Sequence, residues 1–150
     1  MPQGYETYTF TATSCGRDLD EVEEVMPHGN FVWRELYTRD VEAAKAFYAT
    51  LAGWTFESMP MPDQDRTYWL AKAEDTPVAG IIDMSGILPE SDPPHWLNYL
   101  EVDDIDQRLA EIRHHGGKIA RPPFHIPNFG RIAIGADSTG AFIGWVTPDR

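Results

Sequence analysis

Trp33, Glu35 and Tyr37 stand at alternate positions in the stretch WRELYTRD, so a strand there sets an indole, a carboxylate and a phenol side by side on one face. Their chemistry depends on whether that face is shielded from water. A carboxylate in a half-apolar cleft has its pKa raised by desolvation unless a cation or hydrogen-bond donors compensate, which suits it to act as a base or as an acceptor that anchors a ligand. Glu35 is therefore the candidate catalytic residue. The competing role is structural, a hydrogen bond to Tyr99 or an ion pair with Arg131. The same alternation in HWLNYLEV places Leu97, Tyr99 and Glu101 on the matching face, with Glu101 at the strand's end expected to be solvated.

The remaining polar candidates are more scattered. Arg131 begins a strand after the Pro-rich connection FHIPNFG, where it either clamps an anionic ligand or decorates a sheet edge. His125, in that connection, either reaches the cavity mouth or is a plain surface residue, and His95 ahead of HWLNYLEV poses the same choice. His114 and His115 end a helix, where the macrodipole favours a protonated imidazole without further chemistry. Cys15 lacks the helix N-terminus or neighbouring base that would activate a thiol. No phosphate-binding loop, dinucleotide-binding glycine fingerprint or zinc motif is present, so no cofactor is expected.

The elements that must hold these residues are legible from period and punctuation. FVWRELYT reads as a strand. DVEAAKAFYATLAG reads as a helix, with Asp40 as N-cap, Val41, Ala44, Phe47, Tyr48 and Leu51 on one side, and Gly53 as the stop. The runs WTFESM, TYWLAKA and VAGIIDM then read as strands separated by Pro, Asp and Gly turns. After SGILPESDPP the order returns: strand HWLNYLEV, helix DIDQRLAEIRHHGG, and strands around KIARP, GRIAIGA and AFIGWVT. One ungapped shift superposes Leu36 on Leu100, Asp40 on Asp104, Gly53 on Gly117 and Gly80 on Gly144. The expected fold is α+β: two tandem βαβββ modules with open, strongly curved mixed sheets that form a shared cavity, their helices on the outer faces. The modules should run over about residues 31–84 and 95–148 of a domain spanning 29–150. Whether they pair within one chain or across a homodimer is left open.

Residues 1–28, with YETYTFTATS and the acidic RDLDEVEEVMPHG, are expected to form a tail, an edge strand or a lid. A formal charge of −12, from 24 acidic and 12 basic residues, argues against nucleic acid or an anionic membrane as partner. A single cysteine excludes an internal disulfide framework, and no apolar run of about 18 residues is present to span a membrane. The expected location is cytoplasmic.

The pattern W-x-E-L-x-T-x-D, A-x-x-F-Y and L-x-G-W, followed by W-x-x-Y-x-x-V-D-D-I-D, G-G-K, I-P-x-x-G-R and D-x-x-G-A, resembles the vicinal oxygen chelate superfamily of glyoxalases, bleomycin-resistance proteins and extradiol dioxygenases. The likeness covers about residues 30–148. It implies metal ligands on the first and last strand of each module, which fall here on Trp33, Gly80, Leu97 and Gly144. None of these side chains carries a donor atom for a divalent ion, so no metal is expected. The two glycines are expected instead to open room beside Trp33 for a flat or apolar ligand. The ligand-binding set is then Trp33, Tyr37, Gly80, Leu97, Tyr99, Arg131, Phe142 and Gly144. The favoured function is a metal-free small-molecule binder. The alternative is a lyase, isomerase or hydroxylase-type enzyme with Glu35 as base or a displaced metal, and an interaction module would require an exposed apolar patch instead.

Overall fold

The computed structural model describes residues 28–61 and 65–150. The extension expected over residues 1–28 lies, up to residue 27, outside them, as does Cys15. From Phe31 the chain runs β1 (Phe31–Thr38), α1 (Val41–Ala52), β2 (Thr55–Pro60), β3 (Thr67–Ala73), β4 (Thr76–Asp83), β5 (His95–Glu101), α2 (Ile105–His114), β6 (Lys118–Ile126), β7 (Gly130–Ala136) and β8 (Phe142–Pro148). This is βαβββ twice.

Both helices start as the sequence predicts. The Asp40 carboxylate accepts from the Ala43 amide at 2.9 Å, and Asp104 accepts from the Gln107 amide at 3.1 Å. They end differently. Gly53 closes α1 in the left-handed conformation, at φ 67°, whereas in α2 Gly116 takes that conformation at φ 84°. The equivalence of Gly53 with Gly117 therefore fails by one position: α2 ends at His114, two residues short of the position equivalent to Ala52, and its left-handed glycine comes one residue early.

The eight strands form one sheet, in the order β2-β3-β4-β1-β5-β8-β7-β6. The modules join within the chain through antiparallel β1 and β5, which set Trp33 opposite Tyr99 and Glu35 opposite Leu97. Parallel pairing then places Glu35 level with Gly80 and, at the equivalent point of the second module, Tyr99 level with Gly144. A two-residue turn at Glu74 and Asp75, both with positive φ, joins β3 to β4 and brings Leu70 opposite Gly80.

Residues directly opposite each other share a face of the sheet. Leu36 pairs with Trp96 and Leu100 with Trp145, and Trp96 contacts α1 while Trp145 packs among α2 residues. Both helices consequently lie on one side. Behind α2 the core is Val102, Ile105, Leu109 and Ala133. The larger cluster occupies the helix-free face and contains Tyr37, Ile82, Met84, Leu97, Tyr99, Ile132 and Val146.

Two expectations change. β6 continues through Pro122 and Pro123 to Ile126, so His125 is a strand residue and not part of a loop. Proline is tolerated because β6 is the last strand of the sheet and its pairing with β7 is irregular between Arg121 and Phe124. On α1, Phe47 and Leu51 are 56% and 69% exposed, and no residue of this helix is buried. The helix is held through Tyr48, whose ring stacks on Trp54 at 4.9 Å and whose hydroxyl accepts from the Trp96 indole at 3.2 Å.

Candidate functional site

Strand alternation brings Glu35 to the helix-free face, where its carboxylate is 8% exposed and surrounded by phenols. Tyr99 donates to Oε2 at 2.8 Å and Tyr37 to the same oxygen at 3.2 Å. Tyr68 donates to Oε1 at 3.0 Å, and its hydroxyl in turn accepts from Trp33 Nε1 at 2.9 Å. The chain thus supplies three donors to one carboxylate and ties the third donor to an indole. His95 stacks on Tyr37 with ring centres 5.4 Å apart, forming an outer layer.

Burial raises the Glu35 pKa. The hydrogen bonds from Tyr99, Tyr68 and Tyr37 and the charge of Arg121 oppose that shift without cancelling it. Burial, followed by the charge of Glu35, also pushes the hydroxyls of Tyr37, Tyr68 and Tyr99 upward, so all three remain protonated donors. The arrangement is a desolvated carboxylate that can accept hydrogen bonds or, when reached, a proton.

The glycines do not open room. A Cβ on Gly80 would meet the Tyr68 hydroxyl and ring, and one on Gly144 would meet the Tyr99 ring. The expectation of empty space is corrected: each glycine is bare because a tyrosine lies across it. Trp33, Tyr37, Leu97 and Tyr99 all gather around Glu35. Arg131 does not, because its strand phase sends it to the helix side, where it binds Asp106 at 2.9 and 3.1 Å. Phe142 stands at the start of β8 and is 63% exposed. His125 pairs with Asp149 at 2.9 Å. Glu101 departs from its expected solvation: it is 8% exposed, with Arg150 at 3.9 Å.

Sequence reasoning missed Tyr68 and Arg121. Tyr68 sits two residues from Leu70, the partner of Gly80, and a glycine inside a strand was the available sign that another side chain crosses there. Arg121 lies over the Phe124 ring at 3.6 Å.

The metal positions implied by the resemblance carry an indole, an isobutyl group and two hydrogens, with Tyr68 and Tyr99 covering the glycines. These residues do not fit a divalent ion. Among the described residues no three of His, Cys, Asp or Glu converge to hold one elsewhere. A cleft of about 450 Å³ opens apart from Glu35, between the first turn of α1 and the ends of β3 and β4, with Thr67 and Trp69 in its wall. Among the described residues no helix is long and apolar enough to cross a membrane.

Two βαβββ modules joined through their first strands, with Glu35 and Tyr99 meeting on the face opposite the helices, define an α+β protein of the glyoxalase type. The chain belongs to the Glyoxalase/Bleomycin resistance protein/Dioxygenase superfamily, whose family model matches residues 29–143. It is 38% identical over 112 residues to CFP32 of Mycobacterium tuberculosis (strain CDC 1551 / Oshkosh), a protein whose name suggests a glyoxylase; the match covers 75% of this chain and 43% of that protein. It is 29% identical over 125 residues to the anthracycline biosynthesis protein DnrV of Streptomyces peucetius, covering 75% of this chain and 45% of that one. The chain therefore spans less than half the length of these relatives. Methylmalonyl-CoA epimerase from Mycobacterium tuberculosis shares the fold, with a TM-score of 0.58 at 16% identity over 87% of this chain and 95% of that chain.

Proposed function

We propose that the protein binds a small, planar or apolar organic molecule on the helix-free face of its sheet, without a metal ion, and that Glu35 anchors the ligand. The observation that carries this reading is the Glu35 cluster itself, a buried carboxylate ringed by Tyr37, Tyr68 and Tyr99 at positions flanked by residues that cannot ligate a metal. Aromatic walls with a few convergent polar groups suit small-molecule recognition. The relative named for anthracycline biosynthesis supports a polycyclic aromatic ligand class. The assigned unit is residues 29–150, with residues 1–28 an extension, in a cytoplasmic protein that uses no cofactor. Neither nucleic acid nor membrane is assigned as a partner.

A screen of planar aromatics by thermal shift tests the reading: ligands that raise the melting temperature should lose affinity when Trp33 is replaced by Ala. Ligands that bind the variant as tightly as the parent point to another site. Chelator should leave the melting temperature unchanged, and a fall on chelation would show a metal at a site outside these positions. The enzyme reading is favoured by one feature, the raised pKa of Glu35, which moves a carboxylate toward the range useful for a general base.

We assign a homodimer on the exposed side of α1, where Phe47 and Leu51 are left open to solvent. A two-fold contact there buries the same patch on both copies. Light scattering should report a dimer for the parent and a monomer for Leu51→Asp, whose melting temperature should fall only by what dimerisation contributes. A monomeric parent at micromolar concentration removes the assignment.

A further inference from the structure

We infer that the group this site receives is a phenol or enol hydroxyl on a planar ring, which enters by taking the place of the Tyr68 side chain between Trp33 and Glu35. The inference rests on the binding reading above and names its ligand class.

The Tyr68 hydroxyl does two things at once. It accepts from Trp33 Nε1 at 2.9 Å and donates to Glu35 Oε1 at 3.0 Å. A group that replaces it must do both, or leave a buried donor or a buried carboxylate oxygen unpaired. A carboxylate or a fully ionised phosphate has no proton to donate, and any anion would oppose the Glu35 charge. An ammonium cannot accept from the indole, and an ether cannot donate to the carboxylate. A hydroxyl satisfies both partners. The ring follows from the floor: Tyr68 lies across Gly80, where a Cβ would collide with it, so the slot it fills is flat.

Of the three phenols, only Tyr68 is placed to leave. Tyr37 is 7% exposed and Tyr99 is 2% exposed, both inside the main cluster, whereas Tyr68 is partly buried and packs at its margin. It belongs to β3, next to the terminal strand β2. Tyr68 therefore acts as an internal ligand whose chemistry the external ligand reproduces. Tyr99 and Tyr37 stay on Oε2 throughout and keep the carboxylate oriented.

The test uses the full chain and three probes: naphthol, its methyl ether and naphthalene. Binding is followed by the indole N–H resonance of Trp33, assigned with Trp33→Phe. The expected result is that naphthol binds about 10–100-fold more tightly than the ether, the penalty for leaving buried polar groups unpaired. Tyr68→Phe keeps the ring but surrenders both hydrogen bonds, so displacement becomes easier and naphthol should bind this variant more tightly than the parent. Tyr68→Ala should do the same, and either variant suffices if the other does not fold. Equal affinity for naphthol, ether and naphthalene, with the Trp33 resonance shifted, overturns the hydroxyl inference and leaves the binding reading standing. Weaker naphthol binding in Tyr68→Phe overturns the displacement. No response of Trp33 to any probe in parent or variants overturns the binding reading and the inference with it.

Discussion

Gly144→Leu should fail to fold, or should fold with a loss of roughly 2–6 kcal/mol. The first carbon of the new side chain enters the Tyr99 ring, which is 2% exposed and fixed by its hydrogen bond to Glu35. Overpacking a core costs about 1–3 kcal/mol, and a buried hydroxyl pulled off its acceptor costs about 1–3 kcal/mol more. The sequence alone suggested open room at Gly144; the ring already there turns the substitution into a stability defect. Gly80→Ala provides the internal comparison. Its new methyl meets the tip of Tyr68, which is only partly buried and can swing away, so it should cost less than Gly144→Ala. Urea midpoints of the two alanine variants decide the matter. A neutral Gly144→Ala would mean that Tyr99 does not lie across Gly144 in solution.

Glu35→Ala should cost about 2–6 kcal/mol, from about 1–3 kcal/mol for each of the two buried hydroxyls, Tyr37 and Tyr99, left without an acceptor. Glu35→Gln keeps the shape and an acceptor, so its effect lies chiefly in the pH dependence. The folded carboxyl is raised above its ordinary value of 4.5, so between that value and the raised pKa the native state holds more protons than the unfolded chain. Stability should then fall as pH rises through this window and level off above it. Glu35→Gln should remove that component of the fall, and an unchanged pH profile would show that Glu35 is not desolvated. If the protein catalyses a reaction with Glu35 as base, the same variant should lose about 10²–10⁴-fold in rate. A binder should instead change only in affinity.

The strands that carry the site were readable because each alternates cleanly. FVWRELYT puts Leu36 toward the helix and Glu35 away from it, and HWLNYLEV repeats the phase with Tyr99. TYWLAKA was not readable in this way, since Tyr68 and Trp69 place an aromatic ring at both phases. Only the pairing of Leu70 with Gly80 decides that Tyr68 faces Glu35. The two arginines show the same difficulty. Arg131 and Arg121 sit on strands whose pairing shifts register twice, so counting alternate residues could not tell which one faces the carboxylate. Glu101 was misjudged because a position at a strand's end says nothing about the C-terminal Arg150 that lies near it. On α1 the apolar stripe was real, but Phe47 and Leu51 face outward because Tyr48 makes the contacts with Trp54 and Trp96.

Native mass spectrometry of freshly purified protein, alone and with a planar aromatic hydroxyl compound added, tests most directly the claim that Glu35 and its phenols replace a metal with an organic ligand site. The account predicts that the protein carries no divalent metal and takes up one organic molecule per chain, with uptake reduced when Trp33 is replaced by Ala. One zinc, nickel, iron or manganese ion retained per chain through buffer exchange, with no organic molecule bound, would contradict it.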